Sequence, residues 1–179
     1  MDDPEALCER VADDLIDGRV VGWFQGRLEW GPRALGNRSI LADPRRPDIR
    51  ALLNARIKRR ESFRPFAPSV LREEVSQWFD CDEDAPYMAQ VVRLRDDKRG
   101  RVPAVTHVDG SARVQTVSAL SHPRFHALIS AFHRKTGVPM LVITGGNLIR
   151  RGTIRYRCCP SRPRRPRAVP RAAAPARPG

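Results

Sequence analysis

Between residues 26 and 38 the chain carries Gly26, Gly31 and Gly36, each followed within two residues by an arginine: Arg27, Arg33 and Arg38. Glycine lets a backbone turn back on itself and present its N–H groups, which together form a concavity for an anion. Arginine adds a planar fork that matches phosphate or carboxylate oxygens. Two readings of this spacing stand side by side. The loop either receives an anionic ligand, or its arginines are stitched to neighbouring carbonyls and carboxylates. Glu29 is placed to pair with one of the arginines or to help hold Mg²⁺.

A second cationic stretch runs over residues 54–69, where a helix end meets a proline-fixed extended segment. Lys58 and Arg60 lie two apart, so in extended geometry both side chains leave the same side. Phe63 and Phe66 are expected to anchor the segment in the core, with Arg59 as its exposed member. A solvated charge run is the alternative. In a third stretch, 106–116, Asp109-Gly110 is a turn signal, and His107 and Arg113 are expected to flank a hairpin mouth. His107 and Asp109 also fit a simple structural pair.

Interleaved helices and strands must position these groups. Asp3 followed by Pro4 marks a helix start, and Leu7, Val11, Leu15 and Ile16 then share one face up to Gly18. Residues 20–24, 39–41, 67–71, 88–94, 113–117 and 138–143 read as strands. Residues 49–57, 73–79 and 123–135 read as helices. The expected fold class is α/β (α+β), a mixed sheet with flanking helices. Trp23, Trp30 and Trp78 are expected in the core or a pocket wall. His122 is expected to cap the last helix, with His126 and His133 on its surface, and no metal site is expected among these histidines.

The net charge of +13 first suggests a nucleic-acid binder. Its distribution argues otherwise. Residues 150–179 hold ten arginines, no lysine and no acid, so residues 1–149 carry only +3. The Arg, Pro and Ala composition of 150–179 predicts disorder. Its abrupt change of composition fits GC-rich DNA read out of frame. Cys8, Cys81, Cys158 and Cys159 have no CxxC spacing, so neither a disulfide framework nor a zinc site is expected. The acidic start has no signal-peptide pattern and the apolar runs are too short to cross a bilayer, so a cytoplasmic protein without membrane partners is expected.

The stretches GRLEWGPRALGNRSILADPR, LNARIKRRESFRPFAPSVL, THVDGSARVQTV and FHRKTGVPMLV occur in this order. Over about residues 5–147 they resemble the C-terminal domain of the NodU/CmcH-type carbamoyltransferases, which modify nodulation factors, cephamycin-type β-lactams and aminoglycosides. The resemblance implies a YrdC-like domain, a twisted mixed sheet with an open cationic cavity. It also implies reaction of carbamoyl phosphate with ATP to carbamoyl adenylate and pyrophosphate, with Mg²⁺ accompanying the nucleotide. A separate Kae1-like N-terminal domain, which holds iron or another metal, then passes the carbamoyl group to a hydroxyl, as in antibiotic biosynthesis. By motif, Lys58, Arg60 and Arg113 take the catalytic roles. Arg27, Gly31, Arg33, Gly36, Arg38, Thr144 and Asn147 contribute to the nucleotide cavity.

The sequence departs from that pattern after residue 143, where Thr-Gly-Gly-Asn replaces the family's Thr-Ser-Phe-Asn. The expected domains are therefore 1–149, incomplete and with an open sheet edge, and a tail, 150–179. A fragment that performs no transfer without the N-terminal domain is expected. A nucleic-acid-binding module using the basic tail, and a non-functional product of a disrupted gene, are the alternatives.

Overall fold

Asp3 begins the first helix as expected: its carboxylate accepts from Glu5 N at 3.2 Å, and Pro4 occupies the first helical position of α1 (Pro4–Ile16). Val11, Ala12 and Leu15 on its inner face are fully buried. They pack against α4 (Pro123–Thr136), whose Phe125, Leu128, Ile129 and Phe132 are likewise buried. At the outer seam Lys135 bridges Glu9 at 2.9 Å and Asp13 at 2.5 Å. The computed structural model describes residues 3–27 and 29–145, together with the backbone of 154–158.

These helices lie against a mixed sheet of β1 (Val21–Gln25), β2 (Arg38–Ala42), β3 (Ala67–Leu71), β6 (Gln115–Val117), β7 (Met140–Gly145) and β8 (Ile154–Cys158). The strand order is β6-β3-β7-β2-β1-β8. β2 and β7 run antiparallel to their neighbours, while β6 and β8 lie parallel to β3 and β1. β4 (Val91–Arg93) and β5 (Ser111–Arg113) form a separate antiparallel pair. The strands of the main sheet's centre are buried through most of their length, which is why they read as continuous apolar runs. The expected mixed α/β class is what the chain adopts.

Four local expectations change. The helix expected over 49–57 begins as α2 (Ile49–Leu52) and widens into a π-helical turn, Leu53–Lys58. It ends at Arg59, which takes a left-handed conformation with φ 49°. The alternating run 113–117 is split between β5 and β6, which belong to different sheets, with Val114 buried at the corner. The helix over 73–79 becomes a 3₁₀ turn, Arg72–Glu74, followed by α3 (Val75–Trp78). His122 occupies the cap position of α4, but its ring engages Ser121 Oγ at 3.2 Å and bonds no backbone N–H there.

Side-chain burial brings further corrections. Trp23 and Trp78 are core residues, but Trp30 is 102% exposed. Phe66 anchors the second cationic segment, whereas Phe63 is 74% exposed. β8 lies inside the stretch predicted to be unstructured and pairs in parallel with β1. Ile154, Tyr156 and Cys158 alternate with two arginines there, a strand period that the overall composition of 150–179 conceals. Residues 159–179 lie outside the described residues.

Gly36 shows how tightly the first loop sits on the scaffold. Its φ is +112°, and a Cβ there would lie 2.6 Å from the Phe125 ring. Gly36→Ala combines backbone strain with a clash against a buried aromatic. It is expected to lower stability by about 1–3 kcal/mol, read as a shift in the urea unfolding midpoint.

Candidate functional site

The π-helical turn and the chain beyond it are organised by Asn54, which is fully buried. Its amide nitrogen donates to Ser62 O at 3.1 Å and Arg64 O at 3.0 Å. Its oxygen accepts from Arg60 Nε at 2.7 Å. The guanidinium of Arg60 also lies over the Phe66 ring, 4.9 Å from its centroid. Arg60 is thus fixed in place by one buried amide and one buried ring.

Lys58 reaches across to the end of β7, where Nζ donates to Gly145 O at 2.6 Å. The Gly-containing loop meets it there: a Cβ built on Gly145 would lie 3.9 Å from both Lys58 Nζ and Ala34 Cβ. Burial pushes the Lys58 ammonium below the ordinary lysine value, and Arg60 adds to the effect. Arg60 is lowered first by burial and then by Arg64, with Glu61 partly offsetting.

Arg113 projects from the end of β5. Burial, then Arg33, then Arg60 hold its guanidinium below the ordinary arginine value. Its Nε is buried without a hydrogen-bond partner. Arg33, Lys58, Arg60 and Arg113 therefore converge from separate elements. Among the described residues none of them makes an ion pair with a carboxylate. A cluster of cations sharing a partly dry space without a directly paired carboxylate favours an incoming polyanion.

The loop's own polar groups are arranged differently from a simple anion cradle. Glu29 Oε1 accepts from Leu35 N at 2.8 Å and Asn37 N at 2.7 Å. Gly36 N donates to Ser39 Oγ at 3.1 Å. Arg38 donates to Gly31 O at 3.1 Å and stands 3.7 Å from Glu29 Oε2. In this part of the loop the stitched reading is the one realised: its backbone donors and the Arg38 side chain are committed internally. Gly36 serves packing against Phe125, and Gly31 offers its carbonyl to Arg38. Arg27 is exposed, and its carbonyl accepts from Asn37 Nδ2 at 3.0 Å. Thr144 lies beside Gly145 on β7, opposite Ile40 of β2. Asn147 lies outside the described residues.

The third stretch forms its turn. Gly110 N donates to His107 O at 3.0 Å, and Asp109 accepts from Ser111 N at 2.9 Å and Ser111 Oγ at 2.6 Å. His107 Nδ1 lies 3.1 Å from Ser111 Oγ. Desolvation lowers the imidazole pKa against the opposing pull of Asp109, and Arg113 lowers it further. Sequence reasoning missed Gln115, whose amide donates to Leu35 O at 2.8 Å and accepts from Ser69 Oγ at 2.7 Å. A glutamine in the middle of an apolar alternation was its only signal. No group of three or more His, Cys, Asp or Glu able to hold a metal ion occurs among the described residues. Likewise, no helix among them is long and apolar enough to cross a membrane.

The family described as Carbamoyltransferase C-terminus matches residues 12–157. The chain is 50% identical over 144 residues to nodulation protein NolNO of Sinorhizobium fredii (strain NBRC 101917 / NGR234), covering 79% of this chain and 21% of that protein. It is 47% identical over 146 residues to a 3'-hydroxymethylcephem-O-carbamoyltransferase of Amycolatopsis lactamdurans, covering 82% and 28%. The chain therefore spans between 21% and 28% of the length of these curated relatives. The solved structure of full-length HypF in its phosphate- and nucleotide-bound form superposes with a TM-score of 0.48 at 18% identity, over 79% of this chain and 17% of that one.

The depressed Lys58 has a consequence for stability. In the window between its folded value and the ordinary 10.5, the unfolded chain binds more protons than the folded one, so the Lys58 contribution rises with pH. The stability of wild type relative to Lys58→Met is expected to increase as pH is raised from neutral toward 10.5. Urea unfolding of both proteins across that range measures it.

Proposed function

The chain belongs to the carbamoyltransferase C-terminus family, and on that premise we propose that its cation cluster binds ATP and carbamoyl phosphate and promotes formation of carbamoyl adenylate. The observation that carries this reading is the meeting of Arg33, Lys58, Arg60 and Arg113 without an acidic partner among the described residues. Two polyanions repel each other in water. A site that brings them together needs fixed positive charge on several sides, and here it comes from the loop, the π-helical turn and β5.

The chemistry then follows from placement. Water cleaves carbamoyl phosphate to carbamate and inorganic phosphate, and a carbamate oxygen then attacks the α-phosphorus of ATP to give carbamoyl adenylate as pyrophosphate departs; both steps build charge on phosphate oxygens. Cations already held in place stabilise that charge without reorganising. Arg60, fixed by Asn54 and Phe66, presents a rigid fork, while Lys58 is a point charge beside Gly145 O. The partly buried setting of Lys58 and Arg113 strengthens each contact.

The residues do not fit a protein-held Mg²⁺. Glu29 Oε1 is engaged by two backbone N–H groups, its Oε2 is buried without a hydrogen-bond partner and faces the Arg38 cation at 3.7 Å, and no group of three or more metal-ligating side chains surrounds it among the described residues. Any such ion arrives on the nucleotide. Transfer of the carbamoyl group to an acceptor hydroxyl belongs, in this proposal, to the larger part of the relatives' length that this chain does not span.

Isothermal titration of the chain with ATP is the direct test. Arg60→Ala and Arg113→Ala are each expected to weaken binding about 10- to 100-fold, as loss of a charge-assisted bond of about 1.5–3 kcal/mol implies. Lys58→Ala is expected to cost about 10²–10³ in ATP–pyrophosphate exchange. Arg27→Ala, on an exposed part of the loop, is expected to stay within about threefold. Equal affinities across the Arg60, Arg113 and Arg27 variants would refute the proposed site.

A further inference from the structure

Arg33 and Arg113 come from segments far apart in sequence, and their like charges oppose the approach that the cluster requires. Something must hold the two segments together when no ligand is present. Two residues beyond Arg33, the backbone of Leu35 is gripped from both sides. Its N–H donates to Glu29 Oε1 at 2.8 Å, and its carbonyl accepts from Gln115 Nε2 at 2.8 Å. Gln115 stands two residues beyond Arg113, and Ser69 Oγ of β3 locks its amide by donating at 2.7 Å. Gln115 and Ser69 are fully buried, and the Glu29 side chain is only 7% exposed.

We propose that Glu29 and Gln115 are positioning residues, a buried clasp on Leu35 that holds the Arg33 loop against the Arg113 strand before any ligand binds. The inference rests on the anion-site reading above and says what maintains that site. Glu29 acts as an internal anion: its Oε1 takes the N–H groups of Leu35 and Asn37, and its Oε2 faces Arg38 at 3.7 Å. The loop therefore keeps its shape without a phosphate to wrap around. The Glu29 Oε2 is buried without a hydrogen-bond partner, so Arg38 balances its charge through space, and removing the carboxylate would leave the two N–H groups unpaired. Gln115 transmits this order to the opposite wall through one hydrogen bond at each end of its amide.

The test uses the full 179-residue chain with inorganic pyrophosphate as the probe, and follows amide hydrogen exchange at Leu35 and Asn37 in parallel. Glu29→Ala is expected to speed exchange at both amides at least tenfold and to weaken pyrophosphate binding about tenfold. Glu29→Gln, whose amide oxygen can accept the same two bonds, is expected to stay within about threefold of wild type in both measurements. If Glu29→Ala fails to fold, Glu29→Asp takes its place. That variant keeps the charge, loses the reach, and is expected to behave as Glu29→Ala. Faster exchange with unchanged pyrophosphate affinity would overturn the proposal, as would a Glu29→Gln variant as impaired as Glu29→Ala. Wild-type protein that fails to bind pyrophosphate would instead sink the anion-site reading beneath it. The exchange rates would still decide whether Glu29 clasps the loop.

Discussion

Like charges brought close together in a partly buried space set the terms for this molecule. Arg33 and Arg60 stand near enough to Arg113 to oppose its charge, Arg60 does the same to Lys58, and Lys58, Arg60 and Arg113 are partly buried. Such an arrangement raises the energy of the ligand-free protein. The stabilisation has to come from elsewhere in the fold, and it does: from the apolar seam between α1 and α4, from the buried centre of the sheet, and from a few well-placed polar contacts.

The scaffold fixes each cation with a different device. Asn54 draws the chain after the π-helical turn into a tight bend, and Phe66 supplies a surface on which Arg60 lies flat. π-Helical turns often occur at functional sites, where they redirect side chains that a regular helix would point elsewhere. Here the turn delivers Lys58 to the end of β7. The corner at Val114 sends β5 into one sheet and β6 into another, so that Arg113 lies near Arg33 and Arg60 while Gln115 stays inside.

The Gly-containing loop contributes less as a bare backbone cradle than as a shaped arm. Its N–H groups at Leu35, Gly36 and Asn37 are satisfied by Glu29 and Ser39. Gly36 brings it onto the Phe125 ring, so the loop is seated on α4 as firmly as a strand would be. Trp30 and Arg27 sit on its exposed side, away from that seating.

The order of helices and strands was legible in the chain because each long element has a periodic apolar face and a clear stop signal. Asp3-Pro4 before α1, the continuous apolar run of β7 and the glycine after α4 are local features, and local chemistry decides them. The residue types of the cleft were legible for the same reason, since clustered arginines and glycines call for an anion or for internal partners. Which of the two applies is a question of neighbours, and sequence spacing does not supply neighbours. Only the tertiary structure put Glu29 under the amides of Leu35 and Asn37, set Gln115 beneath Leu35, and left Phe63 and Trp30 outside the core. It also paired β8 with β1, where the alternation of Ile154, Tyr156 and Cys158 with Arg155 and Arg157 is outweighed in the sequence by the Arg, Pro and Ala that follow. Sequence fixes what each segment can do alone; contacts between segments distant along the chain are settled only when packing brings them together.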